Sequence, residues 1–276
     1  MGYKIIEKEV LSADVKLMKI DAPLVAKKAQ PGQFIILRLD EEGERIPLTM
    51  MDMDSNKGLV TIIFQEVGKT TKQLGRLNLG DELLDFVGPL GKATHIEKIG
   101  TVVCIGGGIG VAPTYPIARA FKRIGNNLIS IIGSRNKELL ILEKEMQEIS
   151  DKLYITTDDG SYGHHGLVTE PLQKLIDDGL KIDLVMAIGP VPMMRAVCNL
   201  TKSYNIKTMV SLNPIMIDGT GMCGGCRVTV DHKTQFACVD GPEFDGHLVD
   251  FDALRKRQGT FKSLEEESMH KYCQGH

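Results

Sequence analysis

The sequence predicts an antiparallel β-barrel or sandwich followed by a parallel α/β sheet, and three observations carry that reading. Short β-branched runs separated by Pro, Gly and Asp turns fill residues 1–95, the pattern of a small all-β domain. Apolar strands alternating with helical stretches fill 96–212, the pattern of a doubly wound sheet. A Gly- and Cys-rich segment, 213–240, then ends the alternation, and a charged tail, 241–276, follows it.

Within the first domain, 15–20 approximates apolar–polar alternation, 33–39 follows a Pro31-Gly32 turn, and 58–64 opens on a glycine. Within the second, a continuous apolar strand at 101–105 runs into Gly106-Gly107-Gly108-Ile109-Gly110, and a helix is expected from 112 to 122. Further strands are expected at 128–132, 153–156, 184–188 and 208–211, with an amphipathic helix over 138–149. The tail scatters Phe244, Leu248, Phe251, Leu254, Phe261 and Leu264 among basic and acidic runs, which reads as an extension that docks on a partner. His270, Cys273 and His276 have ligand-like spacing, but a terminal tail is a poor place to fix a metal.

Composition excludes several classes. The net charge of −3 is spread along the chain and forms no basic stripe, so nucleic acid is not an expected partner. No apolar run reaches the length of a membrane span. The start, Met1-Gly2-Tyr3-Lys4, lacks the apolar block of a signal peptide, and Ile6 stands where myristoylation needs Ser or Thr. A cytoplasmic location is therefore expected. In a reducing compartment clustered cysteines speak for metal or redox chemistry, and Cys223, Cys226 and Cys238 are clustered. Cys104 and Cys198 lie in apolar surroundings and read as small buried hydrophobes.

The sharpest local signal is Asp218-Gly219-Thr220-Gly221-Met222-Cys223-Gly224-Gly225-Cys226, followed by Cys238. Its spacing, D-x4-C-x2-C…C, matches the plant-type [2Fe–2S] pattern C-x4-C-x2-C…C with Asp218 in the first thiolate's place. Glycines let the backbone curl so that side chains and N–H groups face one point. Zinc is the competing reading, with Cys223, Cys226, Cys238 and either Asp218 or His232 as ligands. A thioredoxin-like redox pair is disfavoured, because Cys223-x-x-Cys226 does not open a helix after a strand.

Gly106 to Pro113 lies at a strand-to-helix turn, where N–H groups and the helix end can approach a pyrophosphate. The acidic ribose partner of a standard dinucleotide fold is missing; Gly133-Ser134-Arg135-Asn136-Lys137 follows the next strand instead. Arg135 is thus a candidate for an adenosine ribose or its 2′-phosphate, or else part of a solvated helix start. Two more strand-end loops, Thr157-Asp158-Asp159-Gly160-Ser161 and Ile188-Gly189-Pro190-Val191-Pro192-Met193, are placed to line the same crevice. Asp158 and Asp159 have turn-capping as their commoner role.

Together these motifs resemble the ferredoxin–NADP reductase superfamily. Arg45-Ile46-Pro47-Leu48-Thr49 is similar to its FAD motif, Val67-Gly68-Lys69-Thr70-Thr71-Lys72 to its FAD-pyrophosphate loop, and Gly107 to Pro113 to its nicotinamide-domain glycine motif. Ile188-Gly189-Pro190 sits where many members have Cys-Gly-Pro, so no thiol role carries over. The segment from Asp218 to Cys238 resembles the C-terminal [2Fe–2S] loop of dihydroorotate dehydrogenase electron-transfer subunits. Its aspartate resembles the small subunits of NADH-dependent reduced ferredoxin:NADP oxidoreductases, also called sulfide dehydrogenase small subunits.

The resemblance implies a ferredoxin–NADP reductase-like fold: an antiparallel β-barrel FAD domain, an α/β parallel-sheet nucleotide domain and a C-terminal [2Fe–2S] loop. It implies FAD against Arg45, Pro47, Leu48, Thr49, Ile63, Gln65, Gly68, Thr70 and Thr71. It implies NAD(H), in preference to NADP(H), against Gly108, Gly110, Val111, Ser134, Arg135, Asp158, Asp159, Gly160, Gly189, Pro190 and Met193. The cluster ligands are then Asp218, Cys223, Cys226 and Cys238. The implied partner is a larger flavin and iron–sulfur subunit in a heterodimer that bifurcates electrons, with ferredoxin met indirectly. No general acid or base is expected, because the chemistry belongs to the cofactors.

Overall fold

The computed structural model describes residues 2–274, so His276 of the ligand-spaced trio lies outside them. Seven antiparallel strands build the first domain: β1 (Tyr3–Ser12), β2 (Val15–Asp21), β3 (Phe34–Arg38), β4 (Ile46–Asp54), β5 (Leu59–Gln65), β6 (Glu82–Leu83) and β7 (Asp85–Leu90). They run in the order β6-β1-β2-β5-β4-β3-β7. The two outermost strands, β6 and β7, are separated by Leu84 alone, so the sheet curls until its edges meet as a barrel. Met18, Ile20, Ile35, Leu37, Ile62, Phe64 and Phe86 fill it, with Leu74 of a short helix, α2 (Lys69–Arg76), against them; α1 (Pro23–Ala26) adds Val25 and Ala26. Each such fully buried side chain contributes on the order of 2 kcal/mol.

The strands expected at 15–20, 33–39 and 58–64 coincide with β2, β3 and β5. β1, β4, β6 and β7 are additional, and the first two show why pattern missed them. β1 is largely solvent-exposed and rich in Glu and Lys, and β4 breaks its alternation with a bulge between Met50 and Asp52.

The second sheet has the order β11-β10-β9-β8-β12-β13-β16. Its members are β8 (Thr101–Gly107), β9 (Asn127–Ser134), β10 (Lys152–Thr157), β11 (His164–His165), β12 (Leu184–Ile188), β13 (Thr208–Ser211) and β16 (Glu243–Asp245); all neighbours pair in parallel except β16. Strand order reverses at β8, which makes its carboxyl end the expected ligand crevice. Val102, Cys104, Leu128 and Ile132 pack with α3 (Val111–Arg123) and α4 (Glu143–Ile149) on one face. Val103, Ile105, Ile129 and Ile131 pack with α5 (Thr169–Asp177) and α6 (Val191–Ser203) on the other. Cys104 and Cys198 are buried as read, and burial pushes the Cys198 thiol up to about 12.

The helix expected over 138–149 is shorter. Asn136 caps a single 3-10 turn, Lys137–Leu139, and Leu142 then takes a left-handed conformation (φ 56°) that no continuous helix permits, so α4 begins at Glu143.

The tail also departs from expectation. β16 joins the α/β sheet, α7 (Phe251–Gln258) packs behind it, and Phe244, Phe251 and Leu254 are buried in the chain's own core. Those three apolar residues are therefore unavailable for docking. Leu248, Phe261 and Leu264 remain exposed, the last on α8 (Lys262–Gln274), which reaches back to α2 with Arg76 over the Tyr272 ring at 4.9 Å. The domains are joined by an Arg119–Asp52 ion pair between α3 and β4, and by Thr94 donating to Glu243 at 2.5 Å. Among the described residues no helix is long and apolar enough to cross a membrane.

Candidate functional site

A cavity of about 800 Å³ lies between the barrel and the carboxyl ends of the parallel strands. Its barrel wall is Pro47, Leu48 and Thr49 of β4 with Ile63 and Gln65 of β5. Thr49 pairs with Phe34 on β3, so the antiparallel register sets the ring of Phe34 into the same wall. Gln65 is held by its amide donating to Asp14 at 2.6 Å.

The opposite wall is made by strand-end loops. Gly108 and Gly110 follow β8, Ser134 ends β9 and Arg135 follows it, Asp158 follows β10, and Gly189, Pro190 and Met193 follow β12. A Cβ at Gly110 would stand 2.3 Å from the Ile188 carbonyl, so the first and fourth loops touch only because that residue is glycine. Arg135 is exposed on the rim, whereas Lys137 lies over the Tyr162 ring at 5.0 Å. Of the two basic residues, Arg135 is the one offered to the cavity.

Several predicted residues stand outside the lining. Arg45 approaches Asp85 at 3.8 Å, Thr70 donates to Glu44, and the Thr71 hydroxyl accepts from the N–H of Gly68 at 3.0 Å where α2 begins. Val111 is buried beneath Gly106 at the head of α3. Asp159 accepts from the Ser161 hydroxyl and N–H, which hold its carboxyl below the usual range, and Gly160 supplies a left-handed turn. That pair shapes the loop that presents Asp158.

Among the lining residues not found from the sequence are Ser211 at the end of β13, Leu212, Asn213 and Pro214 after it, then Met216 and Pro242. The strand-end rule applied to 208–211, the fourth of the expected strands beyond β8, is the signal that finds 211–214. Nothing local marks Met216 or Pro242.

Two positions beyond Met216 the metal loop begins. Asp218 accepts from the N–H groups of Thr220 and Cys223, each at 2.9 Å, and these bonds hold its carboxyl below the usual range. Gly219 has φ +75° against Leu90 and Ile36, which anchors the loop on the barrel. Cys223 is exposed, with its sulfur accepting from Gly225 N–H at 3.4 Å. Cys226 and Cys238 flank the open end of a hairpin, β14 (Arg227–Val230) and β15 (Lys233–Phe236), and their sulfurs lie 3.1 Å apart. Burial and the neighbouring sulfur raise the Cys238 thiol, so thiolate formation there calls for a cation.

His232 sits in the Asp231-His232 turn at the far end of that hairpin, so it is removed from the cysteines and cannot serve as their fourth ligand. Among the described residues no three such side chains already converge on one point. The donor set nevertheless fits an iron–sulfur cluster: three sulfurs and a carboxylate on one glycine-rich loop and its return strand. A buried guanidinium Nε of Arg257 beside the loop, without a hydrogen-bond partner, is a donor suited to such a group.

A barrel and a dinucleotide-type sheet sharing one cavity, with a cysteine loop beside it, define a flavin- and iron–sulfur-dependent oxidoreductase subunit of ferredoxin–NADP reductase-like fold. Three family models agree: an oxidoreductase FAD-binding domain over 2–95, an oxidoreductase NAD-binding domain over 104–199, and the iron–sulfur cluster binding domain of dihydroorotate dehydrogenase B over 213–250. A Thermotoga maritima protein described as a dihydroorotate dehydrogenase B (NAD(+)) electron transfer subunit homolog is 46% identical, over 98% of this chain and 95% of its own. A Fusobacterium nucleatum dihydroorotate dehydrogenase B electron transfer subunit is 33% identical over 85% and 92%. A solved structure of NADH-dependent reduced ferredoxin-NADP oxidoreductase, reported for flavin-based electron bifurcation, superposes with a TM-score of 0.94 at 45% identity, covering 99% of this chain and 98% of that one. The chain belongs to the family of dihydroorotate dehydrogenase B electron-transfer subunits and their homologues. It is an oxidoreductase subunit whose parts bind FAD, a nicotinamide dinucleotide and an iron–sulfur cluster.

Proposed function

We propose that this chain is the NAD(H)-facing subunit of an electron-bifurcating ferredoxin:NADP oxidoreductase. It exchanges hydride with NAD(H) at its FAD and relays single electrons through a [2Fe–2S] cluster to or from a larger flavin and iron–sulfur subunit, with ferredoxin served indirectly. The carrying observation is the shared cavity: barrel residues 47–49 face the strand-end loops across it, and Asn213 to Met216 lead from its third side into the metal loop.

The bound flavin supplies hydride chemistry and the cluster a one-electron outlet; the residues bind, orient and exclude water. Pro47, Leu48, Ile63 and Gln65 would hold the flavin ring, and the Thr49 hydroxyl would hydrogen-bond to it. Arg45 and the N–H groups from Gly68 through Thr71 at the head of α2 take the FAD pyrophosphate. Gly108 and Gly110, with Val111 holding the turn, take the dinucleotide's pyrophosphate. Ser134, Arg135 and the turn of Asp158, Asp159 and Gly160 receive its adenosine side, and Gly189, Pro190 and Met193 its nicotinamide side.

Asp218, Cys223, Cys226 and Cys238 hold the cluster. A carboxylate that accepts N–H bonds keeps lone pairs for a metal, as ligating carboxylates commonly do. Exposed Ile217, Met222 and Val239 around the loop supply an apolar surface for the larger subunit. Six free cysteines accord with a cytoplasmic complex.

A second reading is the electron-transfer subunit of a dihydroorotate or sulfide dehydrogenase, and the iron–sulfur domain match favours its dihydroorotate form. Anaerobic purification from the native host separates the two. A complex in which reduced ferredoxin and NADH together reduce NADP, or NADPH reduces both ferredoxin and NAD in reverse, supports the first reading; one that oxidises dihydroorotate or sulfide without ferredoxin turnover establishes the second.

A further inference from the structure

We propose that Arg257 tunes the iron–sulfur site, as a fixed positive charge that raises the cluster's potential and holds the cysteine loop in place. The inference rests on the reading of 218–238 as the cluster loop. α7 was expected to belong to a partner-docking tail, yet its face is committed to that loop. Asp250 caps its start by accepting from Ala253 N–H at 2.9 Å, and Phe251 and Leu254 are buried beneath it. One turn further on, Gln258 donates from Nε2 to the Asn213 carbonyl at 2.9 Å and to its side-chain oxygen at 3.0 Å. The adjacent Arg257 donates from Nη2 to the Gly225 carbonyl at 3.1 Å. The helix thus clamps the segment at its start and again between Cys223 and Cys226.

The half-buried Arg257 also keeps a buried Nε–H without a hydrogen-bond partner. An unmet buried donor costs about 1–3 kcal/mol unless something nearby accepts from it, and sulfide or thiolate sulfur is such an acceptor. Charge supplies the second reason. An oxidised [2Fe–2S] core carries two positive charges, and three thiolates with a carboxylate bring the site to two negative; reduction adds a third. Cluster potential follows net charge and hydrogen bonding, and a guanidinium stays protonated throughout. A cation held against the loop therefore favours the reduced form. Arg255 and Lys256 on the same helix are exposed, where solvent and salt screen them.

The test is a potentiometric EPR titration, with iron and sulfide content, of the full-length holoprotein and four variants. R257Q should retain iron but lose roughly tenfold in the reduced-to-oxidised ratio at fixed potential, about 59 mV for one electron. R257K should stay near wild type, and the surface control R255Q should not move. R257H carries the charge switch within one protein: its potential should fall as pH rises through the imidazole range, beyond any change in wild type. This variant decides the matter if R257Q fails to retain iron. An R257H potential that tracks wild type at every pH, or equal shifts in R257Q and R257K, overturns the proposal. Wild-type protein without iron, sulfide or an EPR signal would instead refute the cluster reading on which it rests.

Discussion

Cys226 and Cys238 hold their sulfurs 3.1 Å apart because a hairpin of two four-residue strands between them returns the chain in register, with Arg227 opposite Phe236. Half of the candidate ligand set is thus fixed by β-pairing, while Asp218 and Cys223 belong to the glycine turns. Asp218→Cys should keep a [2Fe–2S] cluster and lower its midpoint potential, because thiolate donates more charge than carboxylate. Asp218→Ala should lose part of the iron and weaken the turn, since two N–H groups lose their acceptor. EPR-monitored titration of both variants checks this; wild-type potential and g-values in both would remove Asp218 from the ligand set.

Nucleotide preference follows from the cavity rim. Arg135 stands there without a basic neighbour, since Lys137 is turned onto Tyr162. One cation does not make a built 2′-phosphate pocket, so NADH should reduce the FAD faster than NADPH by at least about tenfold. Stopped-flow absorbance at the flavin band measures the ratio, and equal or inverted rates contradict it.

Where the tail is cut should decide what is lost. Removing 261–276 takes away α8 and its cation–π contact but leaves the core, so FAD and iron contents should be unchanged. Removing 245–276 strips Phe251, Leu254 and Arg257 from behind the cysteine loop. It should cost several kcal/mol and release iron. Cofactor analysis and thermal melts of the two truncations check the contrast; equal behaviour would mean that α7 is dispensable.

The seam between the domains carries a pH dependence. Burial raises the Glu243 carboxyl from 4.5 to about 7, with the Thr94 hydroxyl opposing the shift. A carboxyl raised on folding contributes fully below its unfolded value, and that contribution is lost as pH rises from about 4.5 through about 7. Glu243→Gln should therefore raise the melting temperature more at pH 8 than at pH 5, by about 2–4 °C. Identical shifts at both pH values would show that the carboxylate ionises without penalty.

Much of this architecture was legible because the signals are periodic or local. β12 falls on 184–188, where a continuous apolar run ends in Gly189-Pro190, and β13 on 208–211, a short run with β-branched Thr208 and Val210 ahead of Asn213-Pro214. The glycine loop, the FAD motif and the D-x4-C-x2-C…C spacing likewise depend on neighbours in sequence. What escaped depends on distant ones. β16 becomes a sheet edge only by pairing with β13, more than thirty positions earlier. Met216 and Pro242 reach the cavity through the path of the chain, and Arg257 meets Gly225 across thirty-two positions. The helix over 138–149 failed for a local reason of another kind: its apolar spacing is intact, but Leu142 spends one residue in a left-handed turn.

The central claim is that hydride enters at the flavin and leaves as single electrons through the cysteine loop. Anaerobic addition of NADH to the purified holoprotein, followed in parallel by flavin absorbance and EPR, tests it most directly. Wild type should bleach the flavin and develop the signal of a reduced [2Fe–2S] cluster, while Cys226→Ser should bleach the flavin but lose that signal. Flavin that stays oxidised with NADH, or bleaching in cluster-replete wild type with no cluster signal at any NADH ratio, would contradict the account.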